Sequence, residues 1–314
     1  MGKIAFLFPG QGSQTIGMGK VFYDSFSEAR DIFERADETL GYSLSRLCFE
    51  GPEEKLRLTQ NTQPALLVVS YIAYTLLGET PTIAAGHSLG EYSALVAAGS
   101  LSFEDALRLV HKRGRYMQEA VPVGVGAMAA LMGANFVEIE ATLHKVSSGI
   151  VEIANWNSRE QIVIAGHKKA VAEALTLINP RRSVMLPVSA PFHCQLMRSA
   201  EDKLALDLDA ARFQDLDFPI VTNVDAKVIH SGEEAKESLK KQVTRAVLWF
   251  KSMEVMEKQE IQTFVELGSS KVLSGLIKRI GRDWPSPPEI FNVEDAETLE
   301  TVKSTLFVPS QSLD

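Results

Sequence analysis

The sequence predicts an α/β protein: one large parallel-sheet domain with a smaller sheet-and-helix unit inserted in it. Three observations carry that expectation. Apolar runs at 4–8 and 82–85 read as buried strands, each ending in a glycine turn followed by helical sequence. Further apolar runs at 220–224 and 263–267 are separated by helical stretches, the alternation of a parallel sheet covered by helices. Between them the pattern changes: strand at 127–132, helix at 135–146, strands at 150–154 and 161–165, helix at 168–177 and strand at 183–188. That β-α-β-β-α-β order matches the ferredoxin-like unit, which closes as its own layer. The expected division is a large domain at residues 1–122 and 190–314 and a small one at 123–189, with a ligand cleft between them.

The composition bounds the function. The chain has 314 residues, 45% hydrophobic and 23% charged, ample for a large core without disulfide staples. Its 32 basic and 40 acidic side chains give a net charge of −8, so no basic field exists to hold nucleic acid. Two cysteines, Cys48 and Cys194, are too few and too distant for a disulfide framework or zinc site, which fits a reducing compartment. The first apolar stretch is halted by Pro9-Gly10, and the longest, residues 66–77, is too short to span a bilayer. The expectation is a cytoplasmic chain without membrane attachment. Its tail after residue 306 reads as disordered.

Gly86-His87-Ser88-Leu89-Gly90 is a G-x-S-x-G between a short strand and a helix. On such a turn a serine hydroxyl is held out of the sheet, and the following helix N-terminus offers unpaired N–H groups to an oxyanion. The bland alternative is a glycine-rich turn with an incidental serine. A serine nucleophile needs a base. Of six histidines, His87 adjoins Ser88 with its ring expected to point away. His111 lies in a helix, and His144, His167 and His230 have charged or turn-rich surroundings. His193, after Ser189-Ala190-Pro191-Phe192, falls at the return from the small domain into the large one, beside the cleft. Cys194 lacks a glycine elbow or a helix N-terminus and reads as a small buried hydrophobe.

A helix is expected from about residue 103 to 120, capped by Ser102 with Glu104 and Asp105 in its first turn. Ala106, Leu109, Val110 and Met117 make its apolar face, and Arg113 falls on that face. An inward guanidinium needs an anion. Two readings stay open: an internal Asp or Glu partner, or a bidentate clamp for a substrate carboxylate. The loop Pro9-Gly10-Gln11-Gly12 fails the dinucleotide pattern because Thr15 stands at the third glycine position. It can still present the Gln11 backbone N–H at the strand ends as an oxyanion donor.

Together these segments resemble the bacterial malonyl-CoA:acyl carrier protein transacylases. The resemblance runs through FPGQGSQTIGMG at 8–19, NTQPAL at 61–66, GHSLGEYSALVAAG at 86–99 and RGRYMQEA at 113–120. It continues through QIVIAGH at 161–167, VSAPFHCQLM at 188–197 and ELGSSKVLSGLIKR at 266–279, covering about residues 3–280 in order. It implies an α/β-hydrolase-like domain with an inserted ferredoxin-like subdomain. It implies malonyl transfer from CoA to the phosphopantetheine thiol of acyl carrier protein in fatty acid biosynthesis, through a malonyl-serine and with neither metal nor other cofactor. Ser88 then matches the nucleophile, His193 the base and Arg113 the carboxylate clamp. The Gln11 and Leu89 N–H groups match the oxyanion hole. Gln242 matches the residue whose main-chain carbonyl steadies the histidine, although residues 243–248 depart from the usual pattern. Gln63 and Met117 match pocket-lining positions, and Phe192 before the histidine is similar to the A-F-H pattern of related malonyl-selective synthase domains, where the bulk disfavours a methyl branch.

The expected partners are malonyl-CoA and acyl carrier protein, the latter docking on Arg181 and Arg182 or on Lys278 and Arg279, with the chain a monomer. Two rivals remain at this level. A serine esterase or thioesterase shares the elbow and base, and a silent binding domain would keep the pocket without chemistry.

Overall fold

The computed structural model describes residues 2–188 and 190–307. Ten strands form two sheets: β1 (Ile4–Phe8), β2 (Ile83–Gly86), β3 (Gly126–Met132), β4 (Val151–Ser158), β5 (Gln161–His167), β6 (Arg182–Met185), β7 (Ile220–Val221), β8 (Val228–Ile229), β9 (Thr263–Leu267) and β10 (Glu289–Val293). The larger sheet has the order β10-β9-β1-β2-β7-β8. All its neighbours are parallel except the β7–β8 pair. Every residue of β1, β2 and β9 is buried, as expected for strands covered on both faces. In β1, Ile4, Phe6 and Phe8 join one core and Ala5 and Leu7 the other, the two-residue alternation of a pleated strand.

The smaller sheet has the order β4-β5-β3-β6, with every neighbouring pair antiparallel. The helices Phe136–Leu143 and Lys168–Ile178 pack on one of its faces, where Ile139, Val171 and Ala174 meet Ala129, Leu131, Ile162 and Ile164.

Several expected boundaries move. The run at 220–224 yields only two ladder residues, because Thr222 closes a turn with Lys227 and Asn223 leaves the sheet to bond to the Ser88 turn. Strand β4 runs past residue 154 to Ser158, through two register shifts, and Asn155 bridges to Val247. Strand β6 ends at Met185, short of the expected 188. At the C-terminus Lys303–Phe307 forms a helical turn, with Leu306 and Phe307 packed on the core; the tail expectation otherwise falls on residues 308–314, outside the described residues. Among the described residues no helix is long and apolar enough to cross a membrane.

Two glycine contacts bring the serine turn and Arg113 into place. A Cβ on Gly90 would lie 2.0 Å from the Phe8 carbonyl oxygen, so the helix Leu89–Ala97 sits directly against the end of β1. A Cβ on Gly114 would lie 2.6 Å from the Gln60 Cα, so the helices Phe103–Glu119 and Thr59–Leu77 touch backbone to backbone. That approach carries Arg113 and Met117 toward Gln63. Gly114→Ala should therefore cost about 1–3 kcal/mol of stability through overpacking, read as a lower midpoint in urea unfolding.

Candidate active site

Ser88 lies on the turn between β2 and the helix Leu89–Ala97, with φ 53° and ψ −103°. A non-glycine residue in this region is strained, and the surroundings hold it there. The Ser88 N–H donates to Asn223 Oδ1 at 2.7 Å, and the Asn223 amide donates in turn to the Gly86 carbonyl at 2.7 Å. A Cβ on Gly86 would fall 1.8 Å from the Gly90 carbonyl carbon, which explains glycine at 86, as the Phe8 contact explains it at 90.

His193, also in the left-handed region at φ 60°, brings its Nε2 to 2.8 Å from Ser88 Oγ. Its Nδ1 lies 2.8 Å from the Gln242 main-chain oxygen. A carbonyl can only accept, so Nδ1 carries the proton and the Nε2 lone pair faces the serine hydroxyl. Burial, reinforced by the nearby Arg113 charge, pushes the His193 pKa down to about 3, so the imidazole is a neutral base at physiological pH.

Arg113 is 1% exposed. Its Nη2 donates to Ser88 Oγ at 3.0 Å and to Gln242 Oε1 at 2.8 Å, and its guanidinium lies over the Tyr92 ring at 5.5 Å. No carboxylate bonds to it among the described residues, so the internal-partner reading fails. Glu91 stops one amide short, accepting from Gln242 Nε2 at 2.8 Å. Arg113 Nε is buried with no hydrogen-bond partner. An orphaned donor on a buried cation is costly unless an incoming acceptor satisfies it. Burial raises the Glu91 carboxyl to about 7, opposed by donation from Gln242, Asn223 and Ser238.

Ser88, His193 and Arg113 line one cavity of about 100 Å³, with Gln11, Gln63, Leu89, Met117 and Phe192 in its wall. Neither the Gln11 nor the Leu89 N–H has a backbone acceptor among the described residues. Gln63 Nε2 reaches Met117 Sδ at 3.7 Å, and Gln63 Oε1 is buried without a partner. The structure thus gathers all nine sequence-selected positions, Gln242 through its bonds to His193 and Arg113. A larger groove of about 760 Å³, lined by Tyr42, Arg46 and His111 among others, contains none of them. His87 turns from Ser88, its Nε2 2.9 Å from Asn157 Oδ1 and its ring against Trp249. Cys194 is buried, with its thiol pushed up to about 12 and donating to the Pro191 carbonyl, which leaves it inert.

Sequence reasoning missed Asn223 and Glu91. For Glu91 a signal existed: it is the one charged residue in Leu89–Ala97, a wholly buried helix. Asn223 sits in a polar turn with nothing to distinguish it.

An acyl transferase domain model matches residues 5–302. The malonyl CoA-acyl carrier protein transacylase of Bacillus subtilis is 46% identical over 314 residues, covering 98% of each chain. The chain belongs to the malonyl-CoA:acyl carrier protein transacylase family. Among solved transacylases, the acyl-carrier-protein S-malonyltransferase of Bartonella henselae superposes with a TM-score of 0.94 at 41% identity, over 98% of this chain and 100% of that one. A malonyl-transacylase solved in complex with its type II PKS acyl-carrier protein gives 0.92 at 40% identity, covering 95% and 98%.

The buried, neutral His193 has a kinetic signature. Acyl transfer from CoA at low acyl-CoA concentration, followed by quenched-flow mass spectrometry, should stay nearly flat from about pH 7.5 to about pH 5.5. A base with the ordinary histidine value would lose about tenfold over that range.

Proposed function

We propose that this chain moves the malonyl group from CoA to the phosphopantetheine thiol of acyl carrier protein through a malonyl ester of Ser88, in fatty acid biosynthesis. One observation carries the reading: the Ser88 hydroxyl lies within hydrogen-bond distance of both the neutral His193 base and a buried arginine with no carboxylate partner. A nucleophile, its base and a receptor for a remote carboxylate therefore share one small chamber.

In the first half-reaction Ser88 Oγ attacks the thioester carbonyl while His193 Nε2 takes its proton. The tetrahedral oxyanion is held by the Gln11 and Leu89 N–H groups, and His193 returns the proton as the CoA thiol departs. In the second, the pantetheine thiol gives its proton to His193 and attacks the serine ester, and Ser88 is regenerated. Exchange between thioester and oxygen ester changes no oxidation state, so the scheme calls for no redox cofactor. Gln242 steadies the imidazole through its main-chain oxygen. The malonyl carboxylate meets Arg113 and satisfies the free Nε, while Gln63, Met117 and Phe192 shape the pocket against branched acyl groups.

The arrangement of strands supports the finer fold reading. Strands β3 to β6 share one antiparallel sheet, in the order expected of a ferredoxin-like subdomain at 123–189. The strands on either side share the parallel sheet that carries the Ser88 turn, which supports an α/β-hydrolase-like domain at 1–122 and 190–314. For carrier-protein docking we favour the cavity of about 480 Å³ lined by Arg159, Arg181, Arg182, Arg279 and Arg282 together with Glu160 and Asp283, where one expected basic pair meets Arg279 of the other; Lys278 is not in its wall. A monomer is the proposed working unit, because one chain supplies every group of the site. Two free, buried cysteines support a cytoplasmic setting.

Incubation with malonyl-CoA should place a malonyl group on the Ser88 peptide, seen by mass spectrometry and discharged by carrier protein faster than by water. Release of free malonate instead would make the chain a thioesterase. Arg113→Ala should lower malonyl transfer about a hundredfold more than acetyl transfer, since only the dicarboxylic acyl group uses the guanidinium; equal losses would make the arginine structural.

A further inference from the structure

The transfer mechanism leaves one fully buried ionisable group unused. Glu91 is the third residue of the helix Leu89–Ala97 and has no solvent exposure. Its three hydrogen bonds all come from neutral donors: the Asn223 N–H at 3.1 Å, Ser238 Oγ at 3.2 Å and Gln242 Nε2 at 2.8 Å. The other end of the Gln242 amide, Oε1, accepts from Arg113 Nη2 at 2.8 Å. A carboxylate only accepts and a guanidinium only donates, so an amide between them has a single permitted orientation. The Gln242 main-chain oxygen meanwhile receives His193 Nδ1, and its Nε2 also donates to the Ser88 carbonyl at 3.1 Å. Glu91 thus grips the residue through which the cation and the base are joined.

The spacing matters as much as the bonds. A carboxylate in direct contact with Arg113 would occupy the fork meant for the acyl group. At one amide's remove, Glu91 fixes the Gln242 amide while Arg113 Nε stays unpartnered among the described residues. We propose that Glu91 is a positioning residue for transacylation, acting through the Gln242 side-chain amide to aim Arg113 and so to set the preference for a carboxylate-bearing acyl group. This rests on the malonyl-transfer reading, and it extends that reading to a residue that touches neither substrate nor nucleophile.

Two conservative variants separate reach from charge. Glu91→Gln removes the charge but keeps an oxygen for the Asn223 and Gln242 donors, because the fixed Asn223 N–H forces the amide oxygen to that side and the Ser238 hydroxyl can turn to accept. Glu91→Asp keeps the charge but withdraws it by one methylene from Gln242. Malonyl and acetyl transfer by the full chain would be measured for both variants, with circular dichroism to verify folding. Glu91→Gln should hold the wild-type malonyl-to-acetyl ratio of kcat/KM within about threefold, and Glu91→Asp should lower it about tenfold. Adding Gln242→Leu to Glu91→Asp should lower the ratio no further than Gln242→Leu alone, because both changes cut the same chain. The proposal is overturned if Glu91→Asp keeps the wild-type ratio, if it slows both acyl groups alike, or if Glu91→Gln loses as much selectivity as Glu91→Asp. Wild-type Ser88 is acylated first as the control: absence of a malonyl adduct there would sink the transfer reading itself, whereas a normal adduct with an unchanged ratio in the variants would sink only the role of Glu91.

Discussion

The constraint around which this molecule is organised is a buried cation that, among the described residues, bonds only to neutral oxygens. Arg113 is enclosed by protein, yet the oxygens that meet it belong to a serine hydroxyl and a glutamine amide. Such a group is costly to bury, and the cost is met by partial measures: the Tyr92 ring and the Gln242 amide, itself held by Glu91. Full compensation by one salt bridge would leave no free donor for the carboxylate proposed to bind there. The same positive charge helps keep the neighbouring imidazole neutral, so the group that would recognise an acid also readies the base.

The backbone has a comparable division of roles. Ser88 and His193 both occupy the left-handed region, where side chains other than glycine are strained. Their meeting requires a close stack of main chain: Gly10 against the His87 carbonyl, Gly90 against Phe8 and Gly86 against Gly90, none with room for a methyl group. The parallel sheet supplies the fixed platform for that stack.

Much of this was legible in the sequence because it depends on local rules. Strand β1, the serine turn and the helix Phe103–Glu119 announce themselves by apolar runs, glycine spacing and an N-cap, and the inward side of Arg113 follows from helical periodicity alone. What was hidden is what depends on distant partners. The strand expected at 220–224 is cut short because Asn223 is recruited by a serine 135 positions away, and no local propensity encodes that demand. Strand β4 outruns its apolar stretch because Val247 pairs with its polar end. Gln242 showed its main-chain role only by resemblance, and its side-chain role not at all, since an amide bridging two opposite charges has no spacing to betray it. The competing interpretation of Arg113, a salt-bridged core arginine, needed coordinates to dismiss.

The junction between the two sheets has a mechanical consequence. The Trp156 main-chain N–H donates to the Val247 carbonyl and the Val247 N–H to the Ala154 carbonyl, while the Trp156 ring stacks on Phe136 and lies tilted against Phe250. Val247 lies five residues beyond the carbonyl that holds the imidazole. Any swing that pried the layers apart would pull on that tether and unseat the proton acceptor. The bonds that join the two layers are therefore also the bonds that seat the imidazole.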